Sequence, residues 1–227
     1  MELPDFEGVR VLVKPNAGRS VEAETGVTTH PQVVAAVCDI LREKGADVTI
    51  GEGTIVGKRP LPCLEKTGIA AVAAARGIPL VDLDAAKPET VSIHDGLIID
   101  SLKVSSAVAS YDYIVSVPVM KTHMHCQVSL SAKNMKGCLR GREKVRLHQL
   151  SPPDTPTEYK TLDMAIADLA TVLSPDLAVI DGTYAQEGLG PSGGTMKRFN
   201  TVVASTDFLG ADAVAATLMG FDPAEIP

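Results

Sequence analysis

The sequence predicts a three-layer α/β protein, a mostly parallel sheet with helices on both faces. Short apolar runs bounded by Gly, Pro, Asn or Asp alternate with segments of helical periodicity, the pattern of right-handed strand–helix crossovers. The 227 residues are 45% apolar and 22% charged, ordinary for one α/β domain that buries roughly 70% of its unfolded surface. No apolar run reaches the ~18 residues of a membrane span, and the start MELPDFEGVRVLV lacks the basic leader of a secretory signal. The four cysteines, Cys38, Cys63, Cys126 and Cys138, are far apart with no Cys-x-x-Cys pair, which suits a reducing cytoplasm and leaves no iron–sulfur cluster expected in this chain.

The elements follow in order. Residues 9–13 (VRVLV) read as a buried strand ending at Lys14-Pro15-Asn16. Residues 31–44 form a helix that starts at Pro31 and stops at Gly45, followed by a strand over 47–50. An Ala-rich helix over 64–76 closes at Gly77, and residues 79–83 give a third strand. Weak alternation over 90–104 reads as a hairpin or edge strands, and residues 114–119 (IVSVPV) as a strong strand. A Pro-rich loop at 149–158 reads as a lid or linker. A helix at 162–173, a strand at 177–180 ending in Asp181-Gly182, a strand at 201–204 and a helix at 207–219 complete the pattern. One domain over residues 1–227 is the expected organisation, and the loop-like ending points to a native chain that continues past Pro227.

Charge is unevenly spread. The net charge is −7, yet residues 119–148 hold seven Lys and Arg against the single acid Glu143, together with His123, His125 and His148. An acidic protein with one cationic segment and no aromatics in it lacks the broad basic face that nucleic acid requires. A small anionic ligand fits better.

Ligands of open α/β sheets bind beyond the carboxyl ends of the strands. The residues following each strand are Lys14, Asn16 and Arg19; Glu52; Lys121, His123 and His125; Asp181; and Ser205 with Asp207. Polar residues end any strand, but Lys and His placed directly on the apolar run PVMKTHMHC need a further reason. An extended backbone puts Lys121, His123 and His125 on one side and Met120, Thr122 and Met124 on the other. Two chemistries are open. In the first, Lys14, Lys121 and Lys133 bind an anion, His123 transfers protons, Asp181 orients it, and Asn16 and Asn134 position the ligand. In the second, His123, His125 and Asp181 hold a divalent metal, with electrons supplied by a separate iron–sulfur protein. A ligand carrier without turnover would use the same residues, so enzyme activity stays open. In SLSAKNMKGC, Gly137 after Lys133, Asn134 and Lys136 suits a sharp turn whose N–H groups cradle an anion. GLGPSG at 188–193 follows no strand directly and precedes no helix, so Gly190 belongs to an active-site loop rather than a dinucleotide turn.

The motifs VKPN, PVMKTHMHCQVSLSAKNMKG, VIDGTYAQEGLGP and NTVVASTDFLGADAVAATLMG occur in this order over nearly the whole chain. In this the chain resembles the domain of unknown function 362 family. The resemblance implies a fold neighbourhood rather than a reaction, and an association with ferredoxin-like modules whose cysteine run is missing here. The middle motif is also distantly similar to the amino-terminal domain of nickel-pincer lactate racemases, which implies Lys and His around a cofactor.

Overall fold

The computed structural model describes residues 3–226; the chain end at Pro227 lies outside them. Strand β1 (Arg10–Pro15) is an interior strand, and every residue after Arg10 is apolar or, like Lys14, supplied with buried partners. Helix α1 (Pro31–Glu43) has Pro31 at its first turn, and the His30 ring accepts the Gln32 N–H. β2 (Asp47–Glu52) pairs parallel with β1 and with β3 (Leu80–Asp82). The helix expected over 64–76 is two helices, α2 (Pro60–Lys66) and α3 (Ile69–Arg76). Gly68 between them has φ 81°, a left-handed conformation that ends the first helix and that a side chain would strain. β4 (Pro88–Ser92) and β5 (Ser101–Ser105) form the expected hairpin as a separate two-stranded sheet.

The strand expected at 114–119 is longer and kinked. β6 (Tyr113–Val117) and β7 (Val119–His123) are separated by Pro118, which lacks the N–H needed for a continuous ladder. Both lie along one edge of β9 (Leu177–Glu187), Ser116 opposite Ala178 and Val119 opposite Asp181. The other edge of β9 carries antiparallel β10 (Thr195–Ser205). β8 (Gln127–Ser129) folds back on β7, giving an eight-stranded, mostly parallel sheet. Short helices α4 (Ser131–Asn134) and α5 (Glu143–Arg146) follow, then α6 (Thr161–Val172) and α7 (Phe208–Leu218).

Alternation along β1 and β9 divides the core. Val11, Val13, Leu177 and Val179 pack with α1, α2 and α3 on one face. Leu12 packs with the hairpin and α6, and Ala178 and Ile180 pack with α7, on the other. The three layers are therefore those the sequence predicts. No described helix is long and apolar enough to cross a membrane.

Three expectations change because β9 and β10 are eleven residues long instead of four, the first being that GLGPSG at 188–193 directly follows a strand after all. Asp181 is mid-strand, not at a strand end. Since β10 runs antiparallel, Ser205 and Asp207 emerge beside Ala178, at the opposite end of the sheet from the carboxyl ends of β1 and β2. Asp207 caps α7 there, accepting the Gly210 N–H at 2.9 Å.

Candidate functional site: a cationic cleft

Beyond the carboxyl ends of β1, β2 and β7 lies a cleft of about 510 Å³. Six cationic side chains line it, Lys14, Arg19, Lys121, Lys133, Lys136 and Lys144, with Glu52 the one acidic residue among its lining. His123, His125 and His148 face the same space.

The floor is built from a buried ion pair. Lys14 Nζ donates to Glu52 Oε1 at 2.8 Å, to Asn134 Oδ1 at 3.1 Å and to the Pro15 carbonyl at 2.9 Å. These three acceptors occupy all three ammonium hydrogens, so Lys14 braces the cleft and has none left for a ligand. Glu52 also accepts the Ala17 and Gly53 N–H groups at 2.6 and 2.8 Å. The Asn134 amide donates to the Lys14 carbonyl and to Ser116 Oγ, tying α4 to β1 and β6. Asn134 is thereby a fixed wall rather than a free ligand-positioning amide. Gly137 makes no left-handed turn; it is needed because a Cβ there would come within 2.6 Å of Lys14 Nζ and 2.9 Å of Glu52 Oε1. Gly53 is constrained likewise, since a Cβ on it would collide with the Gly137 carbonyl. Sequence reasoning missed Gly53, although Gly51-Glu52-Gly53 directly follows a strand.

Lys121 and His123 project from β7 into the cleft, as alternation predicts, while Met120 enters the core on the far side. Lys121 Nζ donates to Asn16 Oδ1 and to the Val27 carbonyl, both at 2.7 Å. Asn16 in turn donates from Nδ2 to Asn134 Oδ1 at 3.4 Å. Burial, reinforced by the charges of Lys133 and Arg19, pushes the Lys121 ammonium down to about 7. Burial also lowers Lys133, and brings Lys136 to about 7 where it meets His148 Nε2. Lys144 is already paired, with Asp84 at 2.8 Å. Arg19, Lys121, Lys133 and Lys136 have no carboxylate partner among the described residues.

His123 differs from its expected role as a base. Its Nδ1 accepts the N–H groups of His125 and Cys126 at 3.1 and 3.4 Å, which leaves the ring hydrogen on Nε2. Burial and the nearby Lys133 charge hold it at about 3, so it stays neutral near pH 7 and serves as a donor. His148 is likewise lowered to about 4 by burial.

Asp181 is not in the cleft. Its carboxylate accepts the His30 N–H at 2.7 Å and the Thr183 N–H and hydroxyl at 2.9 and 2.6 Å, fixing the start of α1. It therefore neither orients His123 nor completes a metal site with His123 and His125. Among the described residues no three His, Cys, Asp or Glu side chains converge on one metal position. His123 and His125 rings are 5.7 Å apart, and His123 Nδ1 is already committed to the backbone. His123, His125 and Asp181 therefore do not come together at one metal position as the metal reading expects.

The Pro-rich segment 149–158 contributes nothing to the lining, whereas Leu189, Pro191, Ser192 and Gly193 of the β9–β10 loop do. Gly190 is outside the lining. It docks that loop on β7, its carbonyl accepting the Met124 N–H at 3.0 Å. A Cβ at 190 would collide with the Thr122 carbonyl. Gly190→Ala is expected to destabilise the protein by about 1–3 kcal/mol, the usual cost of overpacking, as read by urea unfolding. Gly193→Ala, whose nearest contact is 3.1 Å, should cost less; equal values would show that this docking contact is unimportant.

This chain resembles known proteins along most of its length. A thylakoid-associated protein of Synechocystis sp. (strain ATCC 27184 / PCC 6803 / Kazusa) is 28% identical over 220 residues, covering 97% of this chain and 66% of that protein. The lactate racemase apoprotein from Thermoanaerobacterium thermosaccharolyticum superposes with a TM-score of 0.64 at 14% identity, over 93% of this chain and 49% of that one. The second likeness is one of fold. The family model described as "Domain of unknown function (DUF362)" matches residues 11–217, and with these motifs in this order the chain belongs to that family.

Proposed function

We propose that this chain is an enzyme acting on a small anionic substrate or phosphorylated cofactor bound in the Lys/His cleft, with Lys121 as the proton-transfer group. The observation that carries this reading is a set of four cations, Arg19, Lys121, Lys133 and Lys136, around one cleft without carboxylate partners among the described residues. Like charges gathered in a partly buried space repel one another and are costly to desolvate, so an anionic ligand is their natural counterpart. Arg19, Lys133 and Lys136 would bind the anion and the His123 Nε2–H would donate to it. Lys121, near 7, supplies both amine and ammonium at neutral pH, the condition for efficient general acid–base work. A carrier without turnover would need the charges but no amine titrating near neutrality. The four free, buried cysteines suit a reducing, cytoplasmic setting.

The test is a calorimetric titration with inorganic pyrophosphate at pH 8 and low salt, in buffers of different ionisation enthalpy. An anion beside Lys121 favours the ammonium, so binding above pH 7 is expected to take up protons. Absence of binding at ~1 mM pyrophosphate, which corresponds to about −4 kcal/mol, would overturn the proposal.

A further inference from the structure

A second cavity, of about 220 Å³, lies between β8, α4, α6 and α7, and Lys133 lines both it and the cationic cleft. Its walls are mainly apolar, with Leu130, Ile166 and Ala213 among them, but two carboxylates face it, Asp163 and Asp212. Asp212 accepts the Ser131 and Ala132 N–H groups at 2.7 and 2.8 Å. Asp163 is 5% exposed, and its buried Oδ2 has no hydrogen-bond partner. A buried acceptor left open costs about 1–3 kcal/mol, so its counterpart is expected to come from a ligand. The two spaces thus differ in character: cations line the cleft, two acids that burial shifts above the ordinary carboxylate range, Asp163 and Asp212 (the latter to about 7), face the side chamber, and Lys133 lies between them.

We propose that the side chamber is the second half of the ligand site, and that the ligand is a zwitterion whose anionic group sits among the cleft cations and whose amine, on a short apolar arm, reaches Asp163. This rests on the anion-binding reading of the cleft. An amine matches the chamber better than a hydroxyl because an ammonium supplies three donors in one position and favours the charged form of the buried acids. The 220 Å³ space admits an arm of a few carbons.

The probes are phosphoethanolamine, propyl phosphate, which matches it in shape but ends in a methyl group, and inorganic phosphate. By calorimetry, phosphoethanolamine is expected to bind wild-type protein about tenfold more tightly than propyl phosphate, as one charge-assisted hydrogen bond provides. Asp163→Asn should bring that ratio to within about twofold of one, the loss expected when a neutral amide replaces the charged acceptor. Ala213→Met fills the chamber without altering charge, so there phosphoethanolamine should bind no better than inorganic phosphate. A wild-type ratio near one, with phosphate still binding, overturns the zwitterion and leaves the anion cleft standing. A tenfold ratio that survives both substitutions also overturns it. If none of the three probes binds, the anion reading fails and takes this inference with it.

Discussion

Glu52→Ala is expected to lower the thermal midpoint by roughly 10 °C, the largest stability effect of any single change in the cleft. Glu52 and Lys14 are both 1% exposed and meet at 2.8 Å. Removing the carboxylate leaves an ammonium buried with two neutral acceptors, the Pro15 carbonyl and Asn134, and strips the Ala17 and Gly53 N–H groups of their partner. Breaking a buried pair from one side costs about 3–5 kcal/mol, because the remaining charge is uncompensated. Replacing both members together, Lys14→Met with Glu52→Leu, should cost less than Glu52→Ala alone, since no charge is then stranded. Calorimetric melting checks both. A midpoint for Glu52→Ala within a degree or two of wild type would show that the ion pair does not brace the cleft.

Lys121→Met is expected to weaken pyrophosphate binding by tenfold or more and to cut proton uptake to the share that Lys136, also near 7, supplies. Lys121→Arg should retain much of the affinity but lose the same share of the uptake, since a guanidinium stays charged throughout. The same residue leaves a mark on stability. Its value in the folded chain, about 7, is below the ordinary lysine value of 10.5, so between these limits the unfolded chain binds more protons. Stability from this group therefore rises with pH from about 7 to about 10.5, and the rise should be flatter in Lys121→Met. Unchanged proton uptake in that variant would move the titrating group elsewhere, to Lys136 first.

Much of this cleft is legible in the sequence because parallel strands deliver their carboxyl ends to one side of a sheet. Lys14, Asn16, Arg19, Glu52, Lys121 and His123 all follow from that rule, and all of them line the cleft. The rule does not say which lysine is free. Lys14 is committed to Glu52, 38 residues away, and only the packing of β1 against β2 reveals it. Asp181 defeats the rule for a different reason. Asp-Gly reads as the end of a strand, but β9 continues through Gly182 because β10 pairs with it on both sides of a bulge between Arg198 and Thr201. Gly137 stands out in the sequence for the wrong property, since a turn and a close approach both favour glycine and only the distance to Lys14 separates them. The side chamber is not legible at all. Cys126, Lys133, Asp163 and Asp212 come from four segments whose convergence depends on how α6 and α7 cover the sheet.

The most direct measurement of the central claim is a crystal structure of the protein soaked with pyrophosphate. Density for the anion is expected within hydrogen-bonding distance of Lys121 and Lys133, beneath the Leu189–Gly193 side of the cleft, with Lys14 still bound to Glu52. An ordered anion elsewhere on the surface, with this cleft filled only by water, would contradict the account.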